Sequence, residues 1–138
     1  MDAPERYEQL IAFLDSNLPA PVERQEDASG ALRFIGGDPP EVVVGLTETS
    51  VVVAQFAATW ETPYTLSARP RRVGVLKWRR LPETALFNAL ATLIKGAREA
   101  RRSGFRTCQH CGRNTPPEWI HSDDVCQGCA ERESGIVH

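Results

Sequence analysis

Two short cysteine pairs near the C-terminus, Cys108-Gln109-His110-Cys111 and Cys126-Gln127-Gly128-Cys129, constrain this chain more than any other feature. Fourteen residues separate them, and they hold all four cysteines of the sequence. A C-x-x-C turn lets two sulfurs converge on one ion. Two such turns predict a tetrahedral site built from Cys108, Cys111, Cys126 and Cys129, one Zn²⁺ per chain. Four thiolates leave no open coordination position, so the expected role of the zinc is structural. Gly112 follows the first pair directly, where a knuckle needs a backbone conformation that side chains disfavour.

The competing fates of these cysteines fit less well. The segment Met1-Asp2-Ala3-Pro4-Glu5-Arg6 is acidic and lacks the apolar stretch of a secretory signal, so a cytoplasmic location is expected. Thiols stay reduced there, which favours metal over two disulfides. A redox C-x-x-C calls for a βαβ context that the pattern lacks. His110 and His121 could compete as ligands, but four cysteines already complete the set.

Upstream, the pattern predicts helix, sheet, helix. Tyr7, Leu10, Ile11 and Leu14 share one face of a helix over 4–16, with Asp2 as N-cap. Residues 17–30, with two prolines and a glycine, read as a loop. Strands are expected at 31–35, 41–46, 50–57, 63–68 and 72–78, joined too tightly for parallel crossovers. A second helix, 82–102, carries the stripe Leu86, Ala89, Leu90, Leu93, Ile94 and Ala97, with Lys95, Arg98 and Arg102 opposite and Gly104 at its end. The expected fold class is α+β. An antiparallel sheet of four or five strands and two flanking helices form a domain over 1–104. A treble-clef or zinc-ribbon-like module follows at 105–138 and docks on the second helix. No apolar run is long enough to span a membrane as a helix.

Charge is unevenly spread. Residues 1–62 hold three basic and eleven acidic residues, 69–106 hold eleven basic and two acidic, and 107–138 hold two basic and five acidic. Arg69, Arg71 and Arg72 precede a strand, and Lys77, Trp78, Arg79 and Arg80 follow it. Cations interleaved with an aromatic ring can grip phosphates and stack on a base. The same cations could instead form a solvated face or meet the acidic N-terminal part.

The C-terminal residues also suggest a family. Cys108-x-x-Cys111-Gly112, then Pro117 and Trp119, then Val125-Cys126-x-x-Cys129-Ala130 resembles a GATA-type zinc finger over about 25 residues. Residues 1–106 carry no comparable likeness. The resemblance implies a treble-clef fold and a zinc site. Ile120 and His121 stand where that family has basic residues, so DNA binding does not carry across. Four thiolates and one Zn²⁺ add about −2 to an already acidic segment, whereas phosphate binding needs positive charge. Trp119 is expected to pack in the finger's own core, with a partner contact by 115–120 as the alternative.

No glycine-rich phosphate loop, nucleophile elbow or H-E-x-x-H motif is present, and no enzyme is expected. The sequence points to a small zinc-binding regulatory or adaptor protein whose partner is another protein. The alternative is a nucleic-acid-binding regulator that uses 69–106.

Overall fold

A computed structural model describes residues 3–120 and 125–129. The chain is α+β, with a five-stranded antiparallel sheet, two helices on one of its faces and a cysteine cluster at the C-terminal end. Helix α1 spans Ala3–Asn17 and α2 spans Glu83–Ser103, both close to expectation. The expected cap Asp2, His121 and the short helix anticipated at 130–133 lie outside the described residues. No helix among the described residues is long and apolar enough to cross a membrane.

The sheet is built from β1 (Val22–Glu26), β2 (Leu32–Gly37), β3 (Pro40–Leu46), β4 (Val51–Gln55) and β7 (Arg71–Leu76), in the order β1-β2-β3-β4-β7. Its inner face presents Phe34, Val42, Val44, Leu46, Val51 and Val53, all fully buried. Against them lie Leu10 and Leu14 of α1 and Leu86, Leu90, Ile94 and Ala97 of α2. Each aliphatic side chain so buried contributes about 1.5–3 kcal/mol, and together they set the position of both helices. The approach of α2 depends on Gly74 of β7, where an added Cβ would stand 2.6 Å from a Leu93 methyl. Helix α1 is tied to the turn before α2 by Arg6, whose guanidinium donates to the carbonyls of Trp78 and Leu81. The Tyr7 and Trp78 rings meet beside it, 6.0 Å between centroids.

Two strands depart from the sequence reading. Residues 22–26 form β1 rather than loop. Four of its five side chains are exposed, so an edge strand with no buried face leaves no apolar alternation to detect. Further on, β4 stops at Gln55 and the chain bends. β5 (Ala58–Thr62) and β6 (Thr65–Ala68) then pair as a separate two-stranded ribbon. This ribbon leans toward the cysteine module, which opens with the short pair β8 (Arg106–Thr107) and β9 (Asn114–Thr115).

Candidate metal centre and its clasp

The β8–β9 hairpin carries the first cysteine pair at its tip. The Cys108 N–H donates to the Arg113 carbonyl, and Gly112 closes the knuckle with its N–H on the Cys108 carbonyl at a φ of +73°. Past a turn at Pro117–Trp119, Ile120 bridges to Cys126, and residues 127–129 are helical. One pair on a hairpin and the other at a helix start is a treble-clef-like arrangement. All four Sγ atoms lie within 4.8 Å of one another, and Cys111 and Cys126 are 3.9 Å apart. Zn–S bonds of about 2.3 Å imply sulfur–sulfur edges of about 3.8 Å in a tetrahedron. All four cysteines are free thiols, and the cluster could hold a metal ion.

The electrostatics of the cluster favour a cation. The Cys108 pKa is lowered to about 5, chiefly by the Cys111 backbone N–H and then by that of Cys126, which donates to Cys108 Sγ at 3.4 Å. Backbone dipoles aimed at a sulfur stabilise its thiolate. Cys129 is pushed up to about 12 by burial first, and by the neighbouring thiols. Crowded sulfurs cannot all ionise unless a cation joins them. Cys108 and Cys129 are buried, whereas Cys111 is exposed and Cys126 partly so. A cleft of about 410 Å³ opens beside that accessible side, lined by Arg113, Asn114, Trp119 and Gln127 among others.

The module docks on α2 as expected, through residues that the sequence reading did not single out. Arg101 and Glu118 form a bidentate pair, with contacts of 2.9 and 2.5 Å, and their side chains are only 1% and 3% exposed. The Arg101 Nε–H donates to the Pro40 carbonyl at 2.9 Å. Its guanidinium also lies over the rings of Phe56 and Phe105, 5.0 and 5.1 Å from their centroids. Glu118 binds the ribbon as well, since its carbonyl accepts the Trp60 indole N–H at 2.8 Å. Arg101 and Glu118, through side chains and one backbone carbonyl, thus join α2, β3, the ribbon and the cysteine module. A signal for Arg101 was present, because 90, 94, 97 and 101 continue one helical face. A charge on an apolar stripe announces a buried pair.

The cations proposed from sequence divide into three groups. Arg69 pairs with Glu61. Arg79 donates to the Glu48 carbonyl and lies over the Trp78 ring. The side chains of Arg71, Arg72, Lys77 and Arg80 have no hydrogen-bond or ion-pair partner among the described residues. Trp78 corrects the expectation of an exposed stacking ring. It is 1% exposed, belongs to the core and donates its indole N–H to the Thr47 carbonyl. Arg98 and Arg102, expected opposite the apolar stripe, both reach Glu41 of β3, Arg102 with its side chain still 59% exposed. Trp119 is 41% exposed and meets Trp60 edge to face at 5.3 Å, rather than packing in the finger's own core.

A shallow cavity of about 710 Å³ lies between the start of α1 and two hairpin tips, with Tyr7, Glu8, Glu48 and Arg79 on its wall. The Tyr7 pKa is raised by burial and by Glu26, Glu48 and Glu8.

No family model matches the chain, and comparison with curated proteins and with solved structures finds no match. The comparisons therefore place the chain in no family, GATA-type included.

Proposed function

We propose that this chain is a zinc-binding regulatory or adaptor protein that works by protein–protein interaction rather than catalysis. In this reading the four cysteines hold one Zn²⁺ in a structural role. The observation that carries the interaction reading is the sheet's other face. An antiparallel sheet with one solvated face alternates apolar inward and polar outward. Here the positions opposite the helix-facing ones include Ile35, Val43, Val52, Val73 and Val75. Val43 is buried, and the exposed apolar part of this face lies at β7, where Val73 and Val75 are 40% and 39% exposed. Exposed apolar surface rimmed by charge marks interaction sites.

The nucleic-acid reading loses support. Trp78 offers no free ring for a base. Arg98, Arg101 and Arg102, three of the eleven basic residues of 69–106, pair with Glu41 and Glu118.

Two measurements test the proposal. Elemental analysis of the purified chain should give about one zinc per chain, and a folded, metal-free C-terminal module overturns the metal assignment. A photoreactive amino acid at Arg33, on the open face, should crosslink to a polypeptide in extracts of the source cells. The same group at Lys95, on the exposed side of α2, should not. Crosslinks to nucleic acid, or equal yields at both positions, overturn the interaction reading.

A further inference from the structure

The two edges of the sheet are finished differently. The face away from the helices reads, in one row, Gln25, Arg33, Gly45, Val52 and Val75, and in the next, Glu23, Ile35, Val43, Ala54 and Arg72. Both rows are polar at β1, whereas at β7 the first ends in Val75 and the second in Arg72. At β1 the exposed side chains Glu23, Arg24, Gln25 and Glu26 leave nothing for a further strand to cover. That is how a solvated edge is protected. At β7 the outward side chains Val73 and Val75 continue the apolar row to the last strand. Among the described residues, β7 pairs only with β4, so its other side presents backbone N–H and C=O groups without a ladder.

Unpaired cations bracket this edge. Arg71 and Arg72 begin β7, and Lys77 and Arg80 follow it. Of the other basic side chains in 69–106, those of Lys95 and Arg106 are likewise without a partner among the described residues. Val73 is the extra residue of a bulge, since Val53 faces Gly74 and Ala54 faces Arg72. A bulge adds twist, which opposes pairing with long flat strands while leaving a short segment room.

We propose that β7 is a docking edge for an extended acidic segment of a partner protein, which adds to the sheet as a sixth strand. This deepens the interaction reading above and rests on it. The incoming backbone supplies the missing ladder. Alternate β-branched or aromatic side chains continue the row from Val52 to Val75, and acidic residues at both ends meet Arg71, Arg72, Lys77 and Arg80. Charge decides against a second copy of this chain. Antiparallel pairing of β7 with itself brings Arg71 and Arg72 of one copy against Lys77 of the other, and like charges directly opposite are destabilising.

The test uses the full-length, zinc-loaded chain and a fluorescent peptide of about eight residues, Glu-Glu-Thr-Val-Thr-Val-Glu-Glu, followed by anisotropy. Saturable binding is expected. It should weaken at least about tenfold in Arg71→Glu/Arg72→Glu and in Val75→Lys. All three positions are exposed, so thermal melts should match the parent. Methylating alternate backbone nitrogens of the peptide should abolish binding, because a strand without its N–H groups cannot join a ladder. Several results overturn the proposal. The first is no saturable binding at low salt, the second is equal binding of the methylated peptide, and the third is a single-stranded oligonucleotide binding where the peptide does not. Self-association lost on Val75→Lys also overturns it, in favour of a second copy. Polypeptide crosslinks at Arg33 that persist while the peptide fails would remove the edge assignment and leave the broader interaction reading intact.

Discussion

The sheet with its helices and the cysteine module are held together by different physics. In the first, two helices bury aliphatic side chains against six inward residues of the sheet, and the cohesion is spread over many contacts. The second is too small to bury a core of its own. It depends on four sulfurs gathered within 4.8 Å and on one buried ion pair to α2. Spread cohesion degrades gradually under mutation, whereas cohesion concentrated in a few groups fails at once. A protein built from both can lose its module and keep its sheet.

The sharpest way to break this comparison is to remove a ligand. Cys126→Ala should cost the module on the order of 10 kcal/mol of metal-coupled folding. Amide exchange should rise across 106–120 while 32–55 stay protected, and loss of protection in both would show that they fold as one unit. Next in size, Glu118→Ala leaves the Arg101 guanidinium buried without its counter-charge, at about 3–5 kcal/mol. Chemical denaturation should show the loss, and replacing both residues with apolar ones of similar volume should recover most of it. In the sheet, Leu90→Ala should cost about 2–5 kcal/mol of global stability through a cavity, with zinc content unchanged. Gly74→Ala should cost about 1–3 kcal/mol, because Leu93 must give way.

The smallest expected effect is electrostatic. Asp27 accepts from the Ser29 N–H and hydroxyl and from the Ala31 N–H in the β1–β2 turn. These bonds, the Ser29 hydroxyl first, hold its pKa below the ordinary 3.8. Its contribution is therefore present above the ordinary value and lost as pH falls through the lower folded one. Asp27→Asn should flatten that acid limb in a stability-versus-pH series, with a slight loss at neutral pH, where the carboxylate's contribution is present.

Much of the fold was legible from local pattern. The faces Leu10/Leu14 and Leu86/Leu90/Ile94/Ala97 are buried as their helical spacing predicts. β3 and β4 announced themselves through their runs of valine, and β3 is buried on both faces over 41–44. β1 did not, because an exposed edge strand lacks the apolar half of the pattern. β6 was expected as a strand of the main sheet at 63–68 and β5 was not expected at all, since a bend at residues 56–57 changes direction without changing composition. The four sulfurs were legible because a C-x-x-C pair brings its own geometry with it.

The basic segment illustrates the opposite case. Its cations look alike in sequence, yet Arg101 is buried on Glu118, Arg98 and Arg102 reach Glu41, and the side chains of Arg71 and Arg72 meet no partner among the described residues. Trp78 reads as an exposed aromatic among charges and is a core residue.

By itself the sequence determined the cysteine cluster, the two helix faces and the antiparallel class of the sheet. Each of these rests on chemistry repeated at short spacing along the chain. Only the tertiary structure decided which charges are matched, which tryptophan is hidden and which sheet edge is left open. The partners in those questions lie 17 residues apart for Arg101 and Glu118 and 61 for Arg101 and Pro40. Whether a charge is solvated or buried depends on what folding brings to it from elsewhere in the chain, and local spacing carries no record of that.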